Sequence, residues 1–149
     1  MKRNGQITAF YIETLLLIVV FLAIILVLTQ VFGLARQQTA AARQLTDAVM
    51  LAGNAAEAVS ISENCEELLS LLNENGNASA RPDASGVTAC YDDEKNPDPQ
   101  GAYRVDVSWR PEKTANGTMI SSVILVHHGD AEKPVYRLKT AAFREEGTP

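Results

Sequence analysis

The chain has 149 residues, 46% of them hydrophobic and 6% aromatic, so one modest globular domain fits once an apolar N-terminus is set aside. Its formal net charge of −5 is unevenly placed: residues 1–13 hold Lys2, Arg3 and Glu13, whereas Arg36 onward holds 11 basic and 17 acidic side chains. That tail has no run of Lys and Arg, which argues against nucleic acid as a partner, because phosphate binding needs clustered cations.

The first predicted element is a membrane helix. Thr14 to Ala35 is 22 residues without a formal charge, about 33 Å of helix against a hydrocarbon core of about 30 Å. Leu15 to Leu28 has no polar face, as a soluble core helix would. The alternative is a cleaved secretory signal, with Met1-Lys2-Arg3-Asn4 as the basic region and Gly33-Leu34-Ala35 as the cleavage site. Apolar regions of such signals run to about 7–15 residues, so the length favours a retained anchor. Lys2, Arg3 and the terminal amine place the N-terminus on the cytoplasmic side and the C-terminal part outside.

Beyond the membrane the helical period continues. Leu45, Ala48, Val49, Ala52, Ala56 and Val59 form an apolar stripe, while Arg43, Gln44, Asp47, Asn54 and Glu57 take other faces. A second helix is expected from a Ser62 cap to about Asn75, stopping at Gly76. Residues 76–86 and 92–101 read as loops.

Strands come next. Tyr103 to Arg110 alternates apolar and polar residues, the pattern of a half-buried strand. Met119 to His128 is apolar on both faces around Leu125, and so central; Val135 to Phe143 is a third strand. Asn116-Gly117 and Gly129-Asp130 supply turns for an antiparallel meander, extended by Val87 to Tyr91. The alanine stripe is the available cover for Tyr103, Val105, Val107 and Trp109, which gives an α+β fold: a long N-terminal helix packed through its amphipathic part on a small antiparallel sheet.

Cys65 and Cys90 allow two readings, a disulfide outside the cytoplasm or two reduced thiols. A bridge would close a loop of about 25 residues, worth about 3 kcal/mol on the chain-entropy model. His127 and His128 are neighbours on a strand and point to opposite faces, so they are not expected to share a metal. Asp92, Asp93, Glu94, Asn96 and Asp98 are acidic enough for calcium, but Pro97 stands where an EF-hand loop needs glycine, and a solvated loop is the expectation. Asn77-Ala78-Ser79 and Asn116-Gly117-Thr118 match glycosylation acceptors. No nucleophile elbow, zinc-protease pair or P-loop is present, so neither an enzyme nor a cofactor is expected.

The order of parts resembles the type IV pilin and pseudopilin superfamily, most closely in Gly5 and in the stretch AFYIETLLLIVV from Ala9 to Val20. The resemblance implies a basic leader at 1–5, a transmembrane helix at 6–35, a helical extension and second helix at 36–75, and an antiparallel β domain at 76–149. It also implies prepilin peptidase processing between Gly5 and Gln6, methylation of the new N-terminus, and assembly with other pilin-like subunits on a membrane platform. In that family a glutamate at the fifth mature position pairs with a neighbour's terminal amine. Here a cut after Gly5 makes Glu13 the eighth residue. Arg3-Asn4-Gly5-Gln6 is also similar to the start of TadE-like membrane proteins of tight-adherence pilus systems, where a glycine-glutamine pair precedes one membrane helix.

Glu13 then has two readings. A carboxylate inside the hydrocarbon boundary costs about 2–3 kcal/mol unless a partner offsets it, and a neighbour's amine is such a partner. Otherwise Glu13 sits solvated among headgroups beside Phe10 and Tyr11 and marks where the span begins. The leading expectation is a structural subunit of a pilus, secretion or DNA-uptake filament; the alternatives are a monomeric membrane-tethered binding or sensor module and a secreted domain.

Overall fold

The computed structural model describes residues 2–145, with side chains from 8 to 145. Helix α1 runs from Lys2 to Ile61 and α2 from Cys65 to Leu72; strands follow at β1 (Ala78–Ala80), β2 (Gly86–Tyr91), β3 (Tyr103–Ser108), β4 (Arg110–Thr114), β5 (Gly117–His128) and β6 (Tyr136–Glu145). Contacts divide the chain into two compact units, Met1–Ala42 and Arg43–Pro149.

Among the described residues the first unit is helix alone. It is long and apolar enough to cross a membrane, and none of its most apolar 18-residue window is buried by this chain. Its threonines satisfy their hydroxyls internally: Thr14, Thr29 and Thr39 donate to the carbonyls of Phe10, Ile25 and Ala35 at 2.8–2.9 Å. Back-bonding of this kind lets a hydroxyl sit in a helix without water.

In the second unit the sheet is an antiparallel meander. β1 pairs β2, β2 pairs β3, β3 and β4 both pair β5, and β6 pairs β5 along Gly117 to Val126. Since β6 takes one edge of β5, β3 and β4 share the other and act as one interrupted strand. At the break the Ser108 hydroxyl accepts the Val123 N–H at 2.7 Å, standing in for a backbone carbonyl. Gly86 allows β2 to lie close to β3, because a Cβ there would collide with the Val107 carbonyl.

One core fills the space between the inner face of the sheet and the helices. The alternation along β3 buries Tyr103, Val105 and Val107, joined by Trp109, Val87, Ala89, Ile120, Ile124 and Val126. Opposite them lie Ala48, Leu51, Ala52, Ala55, Ala58 and Val59 of α1, and Leu68 and Leu72 of α2. The expected alanine cover is present, but the stripe is rotated: Leu45 and Val49 are 46% and 43% exposed, and Leu51, Ala55 and Ala58 are buried instead. A helix on a sheet buries the face that lets its backbone come close, and the buried face of α1 holds four alanines, Ala48, Ala52, Ala55 and Ala58, with Leu51 and Val59.

The join between helices also differs from expectation. Ser62 does not cap α2; it ends α1, its hydroxyl donating to the Ala58 carbonyl at 2.6 Å. The cap is Asn64, which accepts the Glu67 N–H at 2.8 Å, while the Glu67 carboxylate returns to the Glu63 N–H. α2 ends at Leu72 rather than Asn75, and Asn75 and Gly76 turn with φ of 54° and 74°. The segment 76–86, expected as a loop, contains β1, and β4 has no sequence signal: RPEKT lacks apolar alternation and is exposed, so only pairing with β5 makes it a strand.

Arg144 on β6 locks the end of α1. Its guanidinium donates to the Ser60 and Ser62 carbonyls at 2.9 and 2.7 Å, two acceptors a terminating helix leaves open.

Candidate functional site

The residues singled out in the sequence fall in different places. Gly5 and Gln6 belong to α1, but they precede the residues whose side chains are described. Glu13 lies on α1 with an exposed side chain and has no hydrogen-bond or ion-pair partner among the described residues. Beside it Phe10 and Tyr11 meet edge to face, ring centroids 6.3 Å apart, and are 66% and 68% exposed.

Cys65 and Cys90 are free thiols and form no bridge. Strand alternation explains this. Ala89 and Tyr91 face the core, so Cys90 between them points to the outer face, beside its cross-strand partner Arg104; Cys65 at the start of α2 packs against the core on the inner side. The sheet stands between the two sulfurs. Burial pushes both thiols above the ordinary range, reinforced at Cys65 by Glu66 and opposed at Cys90 by Arg104. Both are thus protonated and weakly nucleophilic at neutral pH.

The two histidines diverge. His127 is on the outer face, its Nδ1 3.3 Å from the Ala131 carbonyl and its Nε2 3.7 Å from Asp106. His128 is on the inner face, stacked edgewise on Tyr103 at 4.6 Å and 3.3 Å from Asp93. Among the described residues no three His, Cys, Asp or Glu side chains are grouped to hold a metal ion.

The acidic loop is organised around its own backbone. Asp92 Oδ1 accepts the N–H groups of Glu94 and Asn96 at 2.9 and 2.7 Å, and the Asn96 amides hold the carboxyl below the usual carboxylate range. Asp98 accepts from Gln100 at 2.9 Å. Lys95 ties the loop to α1 through Asp47 at 2.8 Å. Asp92 and Asp98 therefore serve turn geometry, the Asx-turn role of such residues.

What remains as a functional feature is the uncovered apolar helix with its lone carboxylate. Side chains from Phe10 to Leu34 that would be core in a soluble protein are 42–68% exposed. The chain matches no protein-family model, no curated protein and no solved structure.

Proposed function

We propose that the chain is a structural subunit of the pilin-like or pseudopilin-like kind, anchored by α1, N-terminus inside and β domain outside, and assembled with other copies through helix packing in the membrane. The observation that carries this reading is an apolar helix that its own chain leaves bare, interrupted by one carboxylate without a partner. Bare apolar surface of this extent needs lipid or other helices around it. A carboxylate at the boundary of that surface is stabilised by a cation from outside the chain, and a neighbour's terminal amine supplies one while setting the stagger between helices. On this reading the protein performs no chemistry, its partners are pilin-like subunits, lipid and a membrane platform, and Gly5-Gln6 is where a prepilin peptidase acts.

Two measurements test it. Cysteines placed at Leu15 and Val31, with Cys65 and Cys90 replaced by serine, are expected to crosslink between copies in native membranes, and Glu13→Gln is expected to weaken that crosslink. Mass spectrometry of the isolated protein is expected to find a chain beginning at Gln6 and methylated. A monomer that never crosslinks, or a chain beginning near Arg36, overturns the proposal.

A further inference from the structure

The second unit is electrically divided. Residues 43–102, which form the helices, β1, β2 and the acidic loop, hold 3 basic and 11 acidic side chains, net −8; residues 103–145 hold 7 basic and 5 acidic, net +2. The division is spatial as well. Cross-strand register puts Arg110 opposite Ser121, Lys139 opposite Val123 and Arg137 opposite Leu125, all on the outer face of the sheet, away from the helices. These side chains line one depression of about 530 Å³ together with a single carboxylate, Glu112. Among the described residues none of the three cations has an ion-pair partner. The same face turns apolar toward the β4–β5 hairpin, where Met119 and Phe143 pair across the strands and are 37% and 52% exposed.

A surface of the opposite kind lies on the helical side. A groove of about 360 Å³ is lined by Ile61, Leu71, Tyr91 and Pro97, with Glu57 and Glu74 among its walls. Ile61 and Leu71 are 61% and 43% exposed. Neither glutamate has an ion-pair partner among the described residues, and the one cation in the wall, Lys95, is already engaged by Asp47. The groove is apolar with unpaired negative charge, and the sheet face is apolar with unpaired positive charge.

We propose that these two surfaces bind each other between copies: the outer sheet face of one subunit, led by Phe143, docks in the α1–α2 groove of the next, with Arg137 and Lys139 meeting Glu57 and Glu74. Complementary charge at such a contact selects its partner and fixes register, and the apolar residues exclude water from it. The two patches differ, so the contact is heterologous. Repetition then adds subunits in one direction instead of closing a symmetric dimer. This inference rests on the self-assembly reading above and adds a second contact, outside the membrane, to the helix packing.

The test uses the full chain in zwitterionic phospholipid vesicles with a photoreactive benzophenone amino acid at position 143. Irradiation is expected to join position 143 of one copy to residues in 54–74 or 91–97 of another, as mapped by mass spectrometry. Arg137→Glu/Lys139→Glu is expected to lower that yield about tenfold or more, and Glu57→Lys/Glu74→Lys to do the same, because like charges then face each other. Mixing the two doubles, with the probe on the Glu57→Lys/Glu74→Lys copy, is expected to restore the adduct. The Leu15–Val31 cysteine crosslink, measured in the same vesicles, separates the two proposals. Helix crosslinks without adducts at 143 overturn this inference alone, and adducts without helix crosslinks overturn the membrane packing alone. Adducts to lipid only, or yields indifferent to the charge reversals, also overturn it.

Discussion

Leu, Ile and Val fill both units, yet in one they are bare and in the other covered. Ile18, Leu22 and Ile24 on α1 are 51–54% exposed, whereas Val105, Ile124 and Val126 in the sheet are at 0–1%. The second unit brings its own solvent for apolar groups, an inner sheet face with alanines laid over it; the first requires that solvent from elsewhere. Destabilising one region should therefore leave the other intact, and substitutions can show whether it does.

The largest effect is expected in the bare helix. Ile18→Lys with Leu22→Lys should cost about 3 kcal/mol per residue for insertion and release the protein from the membrane fraction on carbonate extraction. Thermal unfolding of the β domain should stay unchanged. The converse change is Ile124→Ala, which opens a cavity beneath α1 and should cost about 3–4 kcal/mol of domain stability in denaturant titration without altering membrane association. Arg144→Ala should cost about 2 kcal/mol, because it removes two charge-assisted hydrogen bonds to the end of α1. Faster hydrogen exchange near Ser60 to Ser62, with the sheet core unaffected, would locate the loss.

The smallest effect concerns pH. The Asn96 amides depress the Asp92 carboxyl in the folded state, so its contribution is present above the unfolded-state value and is lost as pH falls through the folded one. Asp92→Ala should flatten only the acid side of the profile of Tm against pH, and only slightly, since this carboxylate is open to solvent. A change on the alkaline side would contradict the assignment.

Particular residues show how far a linear reading reaches. The period-2 pattern from Tyr103 to Trp109 and the apolar centre of β5 depend on side-chain alternation, a local property, and they appear as expected. β4 has no such pattern and exists because β5 offers it an edge. The cap at Asn64 rather than Ser62 follows from where α1 stops, which Arg144, 82 residues away from Ser62, helps to set. Two cysteines in one small domain allow a bridge, but their facing depends on strand parity and on which side α2 packs.

Composition and order alone determine that this chain has an uncharged helix of membrane-spanning length followed by an α+β domain, because hydrophobic run length and short-range periodicity are written along one strand of residues. Only pairing register brings Arg110, Arg137 and Lys139 onto one outer face, turns Cys90 away from Cys65, and chooses which side of α1 meets the sheet. These are relations between distant segments, decided when strands align and layers close, and no local pattern encodes them.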